Sequence, residues 1–130
     1  MTKLSILLVI LVALIGLSAC QPKPETAANA FFKALENQDF EAAKELSTEE
    51  GQQLLSLIQS FAENADEEQL AEMKNTKYKV IETKVEGDSA VVVYEQWDTT
   101  NPDSKESHEL QMRKIDGDWK VHFVKNDLQK

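Results

Sequence analysis

The hydrophobic pattern of this 130-residue chain changes its period once, near Lys77, and this change constrains the fold more than any other feature. Between residues 25 and 75 the apolar side chains recur at spacings of three and four, as in Phe31, Phe32 and Leu35, which is typical of amphipathic helices. From Lys77 onward apolar and polar residues alternate, which is typical of strands with one buried face. Helices that all precede an antiparallel sheet predict an α+β fold in which the helices pack on four strands.

Start and stop signals in the first half predict four helices. Pro24 fits the first turn of the first helix and Asn37 fits its end, while Asp39 can cap a second, short helix. Two segments, Ser47–Glu50 and Asp66–Gln69, have the residue order of a capping box and predict the starts of the third and fourth helices. The third helix is expected to bury a stripe formed by Leu54, Ile58 and Phe61, with Leu57 beside it.

The second half predicts two hairpins separated by a polar loop. Gly87-Asp88 joins residues 78–86 to 89–97, and Asp116-Gly117 joins 107–115 to 118–124, because both dipeptides favour two-residue turns. The segment Asp98–Ser104 is predicted to be the loop between the hairpins. Since a two-residue turn fixes the register, the first hairpin is expected to pair Val85 with Ala90, Thr83 with Val92, Ile81 with Tyr94, Val80 with Glu95 and Tyr78 with Trp97.

The same argument predicts which face of the last hairpin is buried. Its apolar face is expected to pair Lys114 with Trp119, Met112 with Val121 and Leu110 with Phe123. Trp119, Val121 and Phe123 should then pack against first-helix residues such as Phe31 and Leu35. The segment Ala90–Tyr94 is apolar on both faces, which predicts a central strand.

The N-terminus has the layout of a cleavable secretory signal. Lys3 precedes an aliphatic run at residues 6–15, and two small residues then lie before the single cysteine of the chain, in the order Leu17-Ser18-Ala19-Cys20. This quartet resembles the bacterial lipobox, which implies a diacylglycerol thioether on Cys20. An uncleaved membrane anchor and an ordinary soluble secretory signal are the alternatives. An uncleaved anchor is disfavoured because the apolar segment is shorter than the ~20 residues of a membrane span. A soluble secretory signal is disfavoured because it leaves Cys20 as a lone thiol in an oxidising compartment.

The resemblance to the lipobox divides the chain into three parts. Residues 1–19 are the expected signal peptide, residues 20–24 the lipidated cysteine and a short tether, and residues 25–130 a single domain. The expected location is the bacterial cell envelope. The domain would face the periplasm from the outer membrane of a two-membrane organism, since Gln21 rather than Asp follows Cys20, and it would otherwise lie on the outer face of the cell membrane.

The charge of the chain excludes one class of partner. The full sequence has 14 basic and 23 acidic residues and a net charge of −9, and removal of the signal, with its one lysine, makes it −10. Nucleic acid is therefore not an expected partner, because phosphates need a basic face. For the same reason the link to the membrane is expected to be the lipid on Cys20 and not the protein surface.

A second resemblance concerns the domain. The run Ala30–Leu35, followed by Asp39 and Ala42-Ala43, is similar to the opening helices of small lipoproteins with the nuclear transport factor 2-like (cystatin-like) fold. The closing run Leu110–Val121, with Asp116-Gly117-Asp118-Trp119, is similar to the last hairpin of that group. The resemblance implies a strongly curved sheet that surrounds a cone-shaped cavity. Enzymes of this broad fold, such as ketosteroid isomerase, place acids and a tyrosine inside the cone.

The candidate ligand contacts are Tyr94 and Trp97. Tyr94 is the best candidate for an inward hydroxyl, and Trp97 lies at a strand end beside the polar loop. Neighbouring acids are Glu82, Glu95 and Asp98, but no spacing selects one of them. His108 and His122 have opposite parity in the last hairpin, so they cannot share an ion within one sheet. No catalytic residue, metal or cofactor is therefore predicted.

These observations leave more than one function open. The first hypothesis is a non-enzymatic envelope lipoprotein that binds a small, apolar ligand or an envelope protein. The alternative is a small-pocket enzyme of the isomerase or dehydratase type on the same fold. A third, an accessory protein that blocks a cationic partner, rests on the acidic charge alone.

Overall fold

The computed structural model describes residues 23–123, which form four helices followed by a four-stranded antiparallel sheet. The strand order in the sheet follows the chain, β1-β2-β3-β4, so β2 is an interior strand as predicted. The elements are α1 (Pro24–Glu36), α2 (Phe40–Glu45), α3 (Glu49–Glu63), α4 (Glu67–Asn75), β1 (Thr76–Glu86), β2 (Ser89–Asp98), β3 (Asn101–Ile115) and β4 (Asp118–Val121).

The helix ends confirm most of the predicted capping residues. Pro24 occupies the first turn of α1, Asp39 Oδ1 accepts a hydrogen bond from the Ala42 amide at 3.2 Å, and Asp66 and Gln69 form both bonds of a capping box on α4. The cap of α3 is displaced by one residue from the prediction. Thr48 accepts from the Gly51 amide, whereas the Ser47 hydroxyl donates to the Ala43 carbonyl at 2.7 Å.

The buried face of α3 differs from the predicted stripe. Leu54 and Leu55 are buried, with Leu55 fully inaccessible, but Phe61 is 70% exposed. The prediction that Phe61 belongs to the stripe is therefore wrong. The first half of α3 packs on the core, while its second half extends past it. Phe61 lies in that second half. Its spacing is that of a buried residue, but no described side chain fully covers it.

The register of the first hairpin is as predicted near its turn and wrong beyond it. Val85 pairs with Ala90 and Thr83 with Val92, but a β-bulge at Ile81 then shifts β1 by one residue. The actual partners beyond the bulge are Val80 with Tyr94, Lys79 with Glu95, Tyr78 with Gln96 and Lys77 with Trp97. Without the bulge, Lys77 and Lys79 would face the core and Tyr78 and Val80 would face away; the extra residue reverses this parity.

The third strand begins earlier than predicted. Residues 101–104 belong to β3 and not to a loop, because the turn after β2 is only two residues long. Asp98 closes this turn: its carboxylate accepts bonds from the Thr100 amide at 2.8 Å and the Thr100 hydroxyl at 2.6 Å. The segment is polar because it is exposed, and a polar, turn-rich composition does not distinguish an exposed strand from a loop.

The last hairpin has the predicted register and buries the predicted face. Met112 pairs with Val121 and Lys114 with Trp119, and both Trp119 and Val121 are buried. Val121 also exchanges backbone bonds with the α2–α3 connection, through Leu46 and Thr48. The predicted pair of Leu110 with Phe123 is not among the strand pairs, because β4 ends at Val121. Phe123 lies beyond that end and packs edge-on against Phe31, with 5.9 Å between ring centroids. The core therefore joins α1, α3 and the inner face of the sheet.

Candidate functional site

A cleft of about 350 Å³ lies between α1, α3 and the inner face of β1–β3. Its walls come from segments far apart in sequence, and most of its lining is aromatic or aliphatic. We call it the aromatic cleft; its lining residues are Phe31, Phe32, Leu35, Leu55, Ile58, Tyr78, Tyr94, Gln96, His108, Glu109, Leu110, Gln111 and Phe123.

Phe32 is the centre of the aromatic lining. Its ring is stacked on Tyr78, with 5.0 Å between centroids and 13° between planes, and it lies 4.6 Å from the ring of Tyr94. Phe31, the next residue on α1, contacts Phe32 and Phe123 edge-on. Such pairs hold rings in fixed orientations, so these side chains form a rigid apolar wall.

Two tyrosine hydroxyls provide polarity inside this wall. Burial raises the pKa of Tyr78 to about 12, with smaller contributions from Tyr94 and Glu36, and burial also raises the pKa of Tyr94. Both hydroxyls are therefore protonated near neutral pH and can donate a hydrogen bond. Within residues 23–123 neither hydroxyl is among the fully buried polar atoms that lack a partner, so each can bond to a molecule in the cleft.

The position of Tyr78 is fixed by α1 as well as by the sheet. Its backbone amide donates to Glu36 Oε1 at 3.1 Å, and Glu36 Oε2 lies 3.8 Å from Lys77 Nζ. The end of α1 is thereby tied to the start of β1. The bulge at Ile81 then sets the parity that directs Tyr78 into the cleft.

A histidine and a glutamate lie at the rim of the cleft. His108 Nε2 is 3.2 Å from Glu106 Oε2, and the His108 ring lies 5.7 Å from the ring of Tyr94. Both side chains are exposed. Glu109 and Gln111 also border the cleft, but their side chains lie on the opposite face of β3, because Leu110 and Met112 point into the core. The polar groups of the site are thus concentrated at its mouth.

The other predicted candidates lie away from the cleft. Tyr94 lines it, but Trp97 is on the opposite face of β2, where Lys105 Nζ lies 5.2 Å from its ring centroid. Glu95 is on that same outer face and lies 3.9 Å from Lys105. Hydrogen bonds from Thr100 lower the pKa of Asp98, whose carboxylate serves the turn. The structure thus brings Tyr94 to the site without the acids suggested beside it.

His122 belongs to a separate cluster at the start of α3. Its Nδ1 lies 3.0 Å from the hydroxyl of Thr48 and 4.0 Å from Glu50 Oε2. The pKa of Glu50 is lowered, first by its backbone hydrogen bond and then by His122. His108 and His122 therefore lie at different places, and among residues 23–123 no three His, Asp or Glu side chains are grouped to hold a metal ion.

Sequence reasoning missed Tyr78 and His108 as site residues. Tyr78 was assigned to the outer face because the bulge was not predicted, although the alternation Lys77-Tyr78-Lys79-Val80 carried the signal. His108 was correctly placed on the face of Leu110, but nothing in the sequence showed that this part of β3 borders a cleft. Cys20 and the predicted signal and tether up to residue 22 lie outside the described residues.

In the described part of the chain no helix has both the length and the hydrophobicity needed to cross a membrane. No protein-family model matches the sequence, and no curated protein is similar to it.

Three solved structures share this architecture. A nuclear transport factor 2-like protein of unknown function from Cytophaga hutchinsonii is 15% identical, with a TM-score of 0.50 over 85% of this chain and 97% of that one. A Campylobacter jejuni protein, provisionally described as a nuclear transport factor 2-like transpeptidase, is 22% identical, with a TM-score of 0.55 over 78% and 99%. A de novo designed protein with a curved β-sheet is 14% identical, with a TM-score of 0.51 over 76% and 93%.

These likenesses confirm the predicted fold. The chain has an α+β, nuclear transport factor 2-like domain with helices packed on a curved antiparallel sheet. At these identities the likeness concerns the fold alone, and unrelated functions recur on shared folds. The function must be argued from the cleft.

Proposed function

We propose that this protein is a lipid-anchored envelope lipoprotein whose domain binds a small, mostly apolar molecule in the aromatic cleft. The observation that carries the proposal is the cleft itself, a volume of about 350 Å³ with an aromatic wall and two tyrosine hydroxyls. Pockets that hold small molecules occupy ~300–1,000 Å³ and combine an apolar lining with a few polar groups. The volume favours a ligand at the small end of that range.

The chemistry of the lining suggests the shape and polarity of this ligand. A flat ring or short aliphatic chain would pack against Phe31 and Phe32, and an acceptor atom would receive a bond from Tyr78 or Tyr94. The Glu106 carboxylate beside His108 at the rim and the net charge of −9 disfavour an anionic ligand. We therefore expect a neutral molecule with one polar end.

The binding test uses two neighbouring positions on α3. Ile58 lines the cleft, whereas Leu57 is 51% exposed and does not. Ile58→Trp should fill the cleft and abolish binding of the neutral fluorophore N-phenylnaphthylamine to purified residues 21–130. Leu57→Trp introduces the same ring outside the cleft and should bind as the wild-type chain does. Absence of binding to the wild-type chain, or equal binding to both variants, would contradict the proposal.

The lipid anchor is supported by the order Leu17-Ser18-Ala19-Cys20 and by the short tether that follows it. Cys20→Ser should release the domain from the membrane fraction or leave an uncleaved precursor. Ser18→Ala is the matched control, because it keeps a small residue at that position and should be processed normally. A Cys20→Ser chain that is still processed and still partitions into detergent would show that the anchor is not this cysteine.

One observation favours the alternative of a small-pocket enzyme. The His108–Glu106 pair at the rim could transfer a proton to or from a molecule bound beside Tyr94. Exchange of carbon-bound protons of bound carbonyl compounds with deuterated water, followed by NMR, tests it. Under the binding proposal no exchange occurs; exchange that His108→Gln abolishes and His122→Gln preserves would move the protein to the enzyme class.

A further inference from the structure

A second groove lies between the end of α3 and α4. Its volume is about 350 Å³, and its lining residues are Phe61, Ala65, Gln69, Glu72, Met73 and Thr76. We call it the α3–α4 groove. None of these six residues lines the aromatic cleft. A molecule bound in the α3–α4 groove would therefore occupy a different site from the ligand proposed above.

The apolar side chains of this groove are largely uncovered in the described part of the chain. Phe61 is 70% exposed, and Leu57, one turn earlier on α3, is 51% exposed. Met73 is half-buried, and α4 as a whole contains no buried residue. Large apolar side chains that lie together on a surface are typical of interaction sites, and a methionine adapts its shape to the side chain it contacts. The groove therefore has the composition of a docking surface.

The polar side chains of the groove leave one charged group available. Gln69 Oε1 accepts a hydrogen bond from the Asp66 amide at 3.1 Å, and Thr76 Oγ1 donates to the Glu72 carbonyl at 2.9 Å. The Glu72 side chain is exposed, and among residues 23–123 its carboxylate forms no ion pair. The groove thus offers an apolar surface beside a single negative charge.

The residues around the groove make its charge more negative. Residues 63–76 contain five acidic residues and one basic residue, Lys74. Lys74 follows Glu72 by two positions and lies on the opposite side of α4, because successive helical residues are ~100° apart. Glu68 precedes Glu72 by one turn, and like charges at this spacing repel each other. A cation bound beside Glu72 would relieve this repulsion, so the charge pattern selects a cationic occupant.

We propose that the α3–α4 groove binds a basic amphipathic helix of another protein. An apolar side chain of that helix would enter the groove between Phe61 and Met73. An arginine or lysine beside it would pair with Glu72 and lie on the exposed ring of Phe61. The partner is helical because the backbone groups of α3 and α4 are used within these helices, which leaves no strand edge for an extended peptide to join.

The same charges disfavour two other occupants of the groove. A bilayer that contains anionic lipids would repel Glu68 and Glu72 as Phe61 approached it. A second copy of this chain would bring two acidic grooves together, and like charges across an interface are unfavourable. A basic helix gains from both the apolar and the charged parts of the groove.

The charge is tested with residues 21–130, which contain every described element of the domain. The probe is a fluorescein-labelled synthetic helix with leucine on one face and arginine and lysine on the other, and fluorescence anisotropy at physiological salt measures its Kd. Glu72→Lys should weaken binding about tenfold, because an attraction becomes a repulsion. Glu63→Lys is the matched control: it changes the net charge equally, but it lies on the side of α3 away from Phe61. It should weaken binding by less than about twofold.

The apolar contact is tested with a second pair of variants. Phe61→Ser should weaken binding about tenfold, because it removes the exposed aromatic ring at the centre of the contact. Val85→Ser replaces an apolar residue that is 58% exposed on β1, outside the groove, and should leave the Kd unchanged. A probe with glutamate in place of its arginines and lysines should not bind the wild-type chain.

Several results would overturn the proposal. They are absence of binding to the wild-type chain, equal losses in Glu72→Lys and Glu63→Lys, and an unchanged Kd in Phe61→Ser. Cosedimentation of the wild-type chain with phosphatidylglycerol vesicles that Phe61→Ser abolishes would assign the groove to the membrane instead. A dimer in sedimentation equilibrium that Phe61→Ser dissociates would assign it to a second copy.

One further variant separates this site from the aromatic cleft. Ile58→Trp, which fills the cleft, should leave binding of the basic helix unchanged. Loss of helix binding in Ile58→Trp would place the helix in the cleft and overturn the proposal. Binding of N-phenylnaphthylamine, measured separately, decides the function proposed for the cleft.

Discussion

Truncation of two leucines on α3 tests the assignment of its buried face. Leu55 is fully buried and Leu57 is 51% exposed, although they lie two residues apart on one helix. Replacing a buried leucine by alanine costs ~2.7–5.0 kcal/mol, depending on how well the site relaxes. Leu55 also borders the aromatic cleft, so truncation there widens an existing space and the cost should be about 3 kcal/mol. Leu57→Ala should change the free energy of unfolding by less than about 0.5 kcal/mol.

The two substitutions remove the same atoms and change helix propensity equally, so their difference reports burial alone. For a domain of this size 1 kcal/mol corresponds to ~4–8 °C in Tm. Leu55→Ala should therefore lower Tm by roughly 12–24 °C and Leu57→Ala by at most a few degrees. Thermal unfolding followed by circular dichroism measures both, and urea titrations show whether the m-value is unchanged. Equal losses, or a larger loss in Leu57→Ala, would refute the packing of α3 described above.

Three other perturbations probe the sheet, the cleft and α4. Val121→Asp should lower the free energy of unfolding in urea by several kcal/mol, because Val121 is fully buried. Lys120→Asp should lower it by only about 1 kcal/mol, through the lost bond to the Glu45 carbonyl. Similar losses would mean that the faces are misassigned. The pKa of Tyr78 is raised from 10.0 to about 12, so the folded state binds the hydroxyl proton more tightly than the unfolded state does. The resulting stabilisation is complete below pH 10 and is lost as the pH rises to about 12. Tyr78→Phe should remove that part of the dependence of Tm on pH, and an unchanged alkaline profile would contradict the burial of the hydroxyl. Asp66→Ala should cost ~1 kcal/mol through the lost capping box, seen as faster amide exchange confined to α4, and exchange that rises equally in α1 would contradict a local effect.

The parts of the fold that local chemistry determines were predictable from sequence. The turns at Gly87 and Gly117 have positive φ values of 60° and 86°, which glycine adopts without strain, and both hairpins have the predicted register beside their turns. The caps at Asp39 and Asp66 are likewise where a short side chain can reach a free amide. In each case the decisive interaction joins residues close in sequence.

The parts that were missed depend on contacts between distant segments. Phe61 has the spacing of a buried residue, but burial requires a partner, and α3 extends beyond the elements that could supply one. The extra residue at Ile81 is favoured because it keeps two lysines out of the core, a conflict that appears only when both faces of β1 are considered together. Residues 101–104 are extended, but only Asn101 among them pairs with β2, opposite Asp98; a turn-rich composition does not distinguish such a segment from a loop.

The bulge at Ile81 links these errors to the function of the domain. With a regular β1, Tyr78 would lie on the face of the sheet opposite the helices, Phe32 would lose its stacked partner, and Tyr94 would be the one tyrosine among the described lining residues. The same shift places Lys79 level with Glu95 on that face. One inserted residue therefore determines both the lining of the cleft and the pattern of the opposite face. Deletion of Ile81 should consequently weaken binding of N-phenylnaphthylamine, because it turns Tyr78 away from the cleft and directs Lys77 and Lys79 toward the core, whereas Leu57→Trp should leave binding unchanged.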